Sequence, residues 1–133
     1  MKKHLLAICI LGTLAFGAVS CSDDDNHVHQ ENKLEKFKGT WVGTYSGGDS
    51  GIIEFSIKDD GTIIGTIESD KFPESDLSLK GKVTIEGQVN IRLMYIDEVD
   101  IGGFIGTMTE STASGTWNNT SAGNITGTGT AGK

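Results

Sequence analysis

From Gly39 to the C-terminus, apolar residues recur at alternate positions with a regularity that no helix would show. Reading every second residue gives Trp41-Gly43-Tyr45, Ile53-Phe55-Ile57, Ile63-Gly65-Ile67, Leu79-Gly81-Val83, Ile91-Leu93-Tyr95, Phe104-Gly106-Met108, Ala113-Gly115-Trp117 and Ile125-Gly127-Gly129. The intervening positions are mostly Thr, Ser, Lys, Glu, Asn and Arg. A side-chain period of two sends neighbours to opposite faces of a strand. The pattern therefore predicts eight short strands with one apolar and one wet face each, in an antiparallel up-and-down meander.

Hairpin parity supports the register, because opposed residues in a hairpin must share a face. Asp59-Asp60-Gly61 predicts a three-residue loop that sets Ile57 opposite Ile63, with Gly61 at the left-handed position of a bulged type I turn. Glu86-Gly87-Gln88 likewise predicts Ile85 opposite Val89, and the four residues from Thr109 to Thr112 bring Met108 opposite Ala113.

Six of the eight strands carry glycine among their inward positions. At roughly 0.5–1 kcal/mol each relative to alanine, their cost is about 3–6 kcal/mol against a typical stability of about 5–15 kcal/mol. Closing the meander into a small β-barrel offsets that cost, because closure demands strong coiling and an interior just wide enough for side chains or one small ligand. Two interiors fit this pattern. In one, Trp41, Tyr45, Phe55, Tyr95, Phe104 and Trp117 fill the space that the glycines vacate; in the other, the same six rings line a pocket.

The first 38 residues have a different character. Met1-Lys2-Lys3-His4 is basic, Leu5 to Val19 is an apolar run too short for a comfortable membrane span, and Ala18-Val19-Ser20 is a small-residue exit. Residues 1–20 read as a secretory signal peptide. Cys9 leaves with it, so the exported chain keeps Cys21 alone and forms no internal disulfide. Ala18-Val19-Ser20-Cys21 resembles the bacterial lipobox, which implies lipidation of Cys21 and anchoring in a bilayer through its acyl chains. Ser22-Asp23-Asp24-Asp25 looks like the acidic export signal of Bacteroidetes-type lipoproteins, which implies an outer-membrane protein displayed at the cell surface; without that signal it would face the periplasm. Residues 21–38 then form a lipidated start and a polar, charged tether with a stretched reach on the order of 50 Å, and residues 39–133 form the barrel domain.

Lys2 and Lys3 depart with the signal, so 11 Lys plus Arg become nine against 18 Asp plus Glu, a formal charge of −9 that argues against nucleic acid as a partner. His27 and His29 lie in the tether, which leaves the barrel without histidine or cysteine and points away from the usual acid–base and nucleophilic chemistry. The reading is of a non-enzyme with no cofactor and no resident metal. Glu54 and Glu68 are expected to be a solvated outward pair. Asp97-Glu98-Val99-Asp100 offers oxygen ligands of the kind Ca²⁺ takes, without a recognisable loop spacing. Recognition by loops is the remaining option, with exposed Phe72 in the acidic segment 70–76 and Asp97, Glu98 and Asp100 in the segment 96–102.

Gly39-Thr40-Trp41, with Asp60-Gly61-Thr62-Ile63-Ile64-Gly65-Thr66-Ile67-Glu68-Ser69, resembles the avidin and streptavidin family, and the Gly-x-Trp start is similar to that of lipocalins. The resemblance implies an eight-stranded barrel. It does not extend to biotin: Gly43 and Gly47 stand where that family places an asparagine and a serine, Ile67 stands where it places a tyrosine, and Ser69 alone matches. Two functions are consistent with these features. One is a membrane-anchored barrel that binds a small apolar or carbohydrate-like ligand. The other is a protein-binding module, either an inhibitor of a secreted enzyme or a structural component of an envelope assembly.

Overall fold

The computed structural model describes residues 33–133. The signal peptide, Cys21 and most of the tether lie outside the described residues, so the expectations placed on them stand as sequence readings.

Eight strands follow one another: β1 (Gly39–Gly47), β2 (Gly51–Ile57), β3 (Thr62–Ser69), β4 (Leu77–Val83), β5 (Gln88–Tyr95), β6 (Val99–Met108), β7 (Thr112–Asn119) and β8 (Ile125–Gly132). Each pairs antiparallel with the next, and β8 returns to β1 with Gly43 opposite Ala131, which closes the barrel. The fold is thus the all-β, eight-stranded antiparallel barrel that the alternation predicts. A single 3₁₀ turn, η1 (Ile96–Glu98), joins β5 to β6.

Burial follows the period of two. Trp41, Ile53, Phe55, Ile57, Ile63, Leu79, Val83, Ile91 and Phe104 face inward and are buried, whereas Val42, Glu54, Ile64 and Glu68 face out. Two of the three tested hairpins keep the predicted register, with Ile57 opposite Ile63 and Met108 opposite Ala113. The β4–β5 hairpin closes two residues earlier than expected, with Val83 opposite Val89 and the Thr84 N–H donating to Gln88 O at 2.9 Å. A shift of two preserves every facing direction, so the core is unchanged.

The inward glycines answer to curvature first. A Cβ on Gly43 would lie 1.9 Å from Thr130 O and 2.5 Å from Ala131 Cα, and one on Gly127 would lie 1.8 Å from Ser46 O. The strands coil so tightly that the missing side chain would strike the backbone next door. Room for rings is the second role: a Cβ on Gly115 would come within 2.8 Å of Phe104 Cζ.

Tyr95 departs from the sequence reading. The β5–β6 ladder slips between Leu93 and Met94, which pair with Gly102 and Asp100 and leave Ile101 of β6 as the extra residue; Tyr95, the last residue of β5, lies at the rim with 40 % of its surface exposed. A bulge leaves one residue unpaired and bends the strand that carries it, here β6. Tyr95 is therefore not an interior ring; the other five aromatics of the set lie inside.

Residues 33–38, assigned to the tether by sequence, pack on the barrel. A turn at residues 33–35 leads to Phe37, which is 1 % exposed and belongs to the core, with Leu34 packed against it. The Trp41 indole N–H donates to Phe37 O at 2.8 Å, and Lys38 pairs with Asp59 at 2.6 Å. Two apolar side chains suffice because the barrel end supplies the rest of their burial. The N-terminal segment thus stoppers the end that carries the β2–β3, β4–β5 and β6–β7 turns.

Candidate functional site

An up-and-down meander puts alternate connections at opposite ends. Segments 48–50, 70–76, 96–98 and 120–124 consequently gather at the end away from Phe37. Phe72, Asp97, Glu98 and Asp100, expected to be recognition residues, all belong to this mouth or its rim.

Beneath the mouth the interior is nearly full. Trp41 and Phe55 stack with parallel rings 6.1 Å apart, and Tyr45 meets Trp117 edge-on at 5.3 Å. The Trp117 indole N–H donates to Ser46 O at 3.1 Å. A cavity of about 30 Å³ remains among Tyr45, Ile53, Leu79, Leu93, Phe104 and Trp117. That volume suits a water or two, against roughly 300–1,000 Å³ for a pocket that engulfs a drug-sized ligand. Of the two interiors the sequence allows, the filled one is present.

A polar lid covers this cavity. Asp49, in the β1–β2 turn, accepts hydrogen bonds from Tyr45 Oη at 3.0 Å, Ser69 Oγ at 2.6 Å, and the backbone N–H groups of Ser50 at 2.8 Å and Lys71 at 3.2 Å. The Ser69 hydroxyl in turn accepts from the Phe72 N–H at 2.9 Å, which ties the 70–76 loop to the same cluster. Burial pushes the Asp49 carboxyl upward, but the donors Ser69, Ser50, Tyr45 and Lys71 together outweigh it and hold the group below its ordinary value. Burial also raises the Tyr45 phenol, which stays protonated as a donor.

A carboxylate with a depressed folded-state pKa adds stability above its unfolded pKa, about 3.9 for Asp, and that contribution vanishes as the pH falls through the folded value. Asp49→Asn is therefore expected to be less stable than the parent at pH 6, with a smaller loss on acidification toward pH 3. Urea midpoints at the two pH values check this; parallel acid losses in the two proteins would remove Asp49 from the account.

Across the mouth runs a groove of about 260 Å³ whose lining includes Phe72, Ser75, Leu77, Tyr95, Ile101, Asn119 and Ser121. It shares Leu77 and Asn119 with the cavity below. Asn119 is 8 % exposed, and its Oδ1 accepts from Ser121 N–H at 3.0 Å, Ser121 Oγ at 2.8 Å and Ala122 N–H at 3.3 Å. Those donors fix which amide atom is oxygen. Its Nδ2 has no hydrogen-bond partner among the described residues. Sequence reading missed Asn119 and Asp49 and singled out Ser69 only as a match to the avidin family, because their partners meet only through the fold; an Asn at an inward parity position was the one available signal for Asn119.

Glu98 pairs with Lys80, and Asp100 accepts from the Gly102 N–H at 3.1 Å and faces Arg92 at 3.6 Å. These carboxylates are engaged with their own neighbours, and among the described residues no three His, Cys, Asp or Glu side chains gather as a metal site would require. Comparison with known proteins finds no matching family model, no similar curated protein and no similar solved structure.

Proposed function

We propose that this chain is a non-enzymatic binding module that takes a small carbohydrate-like ligand at the barrel mouth. The observation that carries the reading is Asn119: a residue 8 % exposed whose oxygen is fully engaged by its own loop and whose Nδ2, without a hydrogen-bond partner among the described residues, opens to solvent in an aromatic-walled groove. A donor fixed in place by the bonds of its own amide oxygen and open to solvent is preorganised to bond a ligand. A sugar ring offers hydroxyl oxygens to Nδ2 and apolar C–H faces to Phe72 and Tyr95.

Attachment supports the same picture. The chain enters the barrel at the stoppered end, so a lipid on Cys21 in the outer membrane leaves the mouth facing away from the bilayer. The small interior cavity and the glycines at 43 and 47 favour no biotin site, and a biotin titration is expected to show no tight binding.

Chemical-shift titration with a panel of neutral mono- and disaccharides tests the proposal. At least one sugar is expected to move the Asn119, Phe72 and Tyr95 resonances, and Asn119→Asp, which keeps the Oδ1 acceptor and abolishes the donor, is expected to weaken it about tenfold, as loss of about 1.4 kcal/mol would. A panel without a mouth-localised response, or equal binding by Asn119→Asp, would refute it.

A further inference from the structure

Charge is distributed unequally between the two barrel ends. Residues at the mouth and on its rim include Asp49, Glu68, Asp70, Glu74, Asp76, Asp97, Glu98 and Asp100, eight acids, against Lys71 in the mouth loops and Lys80 and Arg92, which pair with Glu98 and Asp100. The stoppered end is close to balanced, with Lys33, Lys36, Lys38, Lys58 and Lys133 beside Glu35, Asp59, Asp60, Glu86 and Glu110. Beyond Tyr95, on the outer side of the mouth groove, lies a second and larger groove of about 980 Å³ between the 70–76 loop and η1.

Glu68, Asp70, Asp76 and Glu98 line that groove, and no Lys, Arg or His lines it. Glu98 is paired with Lys80 and Asp70 accepts from Ser50 Oγ at 2.7 Å; Glu68 and Asp76 have no such partner among the described residues. One wall is apolar: Tyr95 is 40 % and Ile96 50 % exposed, with Val99 opposite Tyr95 in the ladder. All three sit at the tip of the β5–β6 hairpin, beyond the bulge at Ile101. Glu98 holds the tip in a left-handed conformation, φ +63°, that non-glycine residues seldom adopt and that recurs at functional sites.

We propose that this groove docks a segment of a partner protein that alternates cationic and apolar side chains. Alternation fits the groove's two unlike sides, with Lys or Arg turned to Glu68 and Asp76 and apolar residues turned to Tyr95 and Ile96. An acidic surface attracts such a segment at long range and repels acidic competitors, so charge sets both the approach and the choice of partner. The inference is independent of the sugar reading, since Glu68, Asp76 and Ile96 lie outside the mouth groove.

The test is fluorescence anisotropy of the exported full chain with a labelled hexapeptide of alternating Lys and Leu, beside an alternating Glu and Leu hexapeptide and an all-Lys hexapeptide. The Lys–Leu peptide is expected to bind, to weaken as salt rises, and to lose about tenfold or more in affinity to the double variant Glu68→Lys, Asp76→Lys. Both side chains are exposed, so the variant should fold, and its saccharide titration is expected to be unchanged. Tyr95→Ser and Ile96→Ser provide second variants that probe the apolar wall without altering charge. No binding of the Lys–Leu peptide, equal binding by the double variant, or equal affinity for all-Lys would overturn the proposal.

Discussion

Gly43→Ala is expected to destabilise the protein by about 3 kcal/mol or more, the upper end of what overpacking costs. The added methyl would lie 1.9 Å from a backbone oxygen and 2.5 Å from a Cα on β8, the strand that closes the barrel. A rotating side chain could yield; two hydrogen-bonded backbones can do so only by opening the β1–β8 seam. Against a typical total of about 5–15 kcal/mol, such a loss lowers the melting temperature by roughly 12–24 °C at about 4–8 °C per kcal/mol. Gly132→Ala is the control. Its methyl would meet only Ser111 O at 3.7 Å, an ordinary contact, and restricting the unfolded chain there is expected to be neutral or to stabilise by up to about 1 kcal/mol. Urea unfolding of both variants decides the matter, and a Gly43→Ala midpoint equal to the parent's would end the curvature explanation of the glycine pattern.

Phe37→Ala is expected to cost about 3–5 kcal/mol, the range for an aromatic removed from a packed core. Phe37 lies six residues ahead of Gly43 in sequence yet is as buried as the centre of the barrel, at 1 % exposure. Leu34→Ala should cost less, since Leu34 is only partly buried at the same end. Deleting the segment through Phe37 should exceed the point substitution, because the Trp41 indole N–H then loses Phe37 O, its acceptor at 2.8 Å. An unpaired buried donor adds about 1–3 kcal/mol. Equilibrium unfolding of the three variants tests the order. If Phe37→Ala unfolds with the parent's midpoint, the segment is an attachment and not a stopper.

Both expectations concern residues whose importance the chain shows very differently. Gly43 announces itself, since a glycine midway between Trp41 and Tyr45 on an otherwise apolar face calls for a reason. Phe37 does not. It stands among Lys33, Glu35, Lys36 and Lys38, and local composition reads as a polar tether. What buries it is the end of a barrel whose walls come from residues as far along the chain as Ala131, 94 positions away.

Tyr95 marks a similar boundary. Ile91, Leu93 and Tyr95 keep one parity, but Met94 makes the run apolar on both, so the segment accepts either phase beyond Leu93. In the fold Leu93 joins the core cluster, Met94 is buried apart from it opposite Ser78, and Tyr95 lies at the rim where the extra residue, Ile101, interrupts the ladder. Placing Tyr95 outside gives the mouth groove one aromatic wall and the acidic groove its apolar one, so a single inserted residue shapes both candidate sites.

The amino-acid order alone determined the class of fold, the number of strands and the inward set on seven of the eight. Those properties are local: they follow from the two-residue repeat of a strand and from turns of fixed length. Tertiary structure decided which loops share an end, that rings and glycines leave only a small void, and that Asp49, Tyr45 and Ser69 converge on one lid while Asn119 keeps an open donor. These depend on contacts between residues far apart along the chain, where closure of the cylinder, with its tilt and its one bulge, sets the distances that no local pattern encodes.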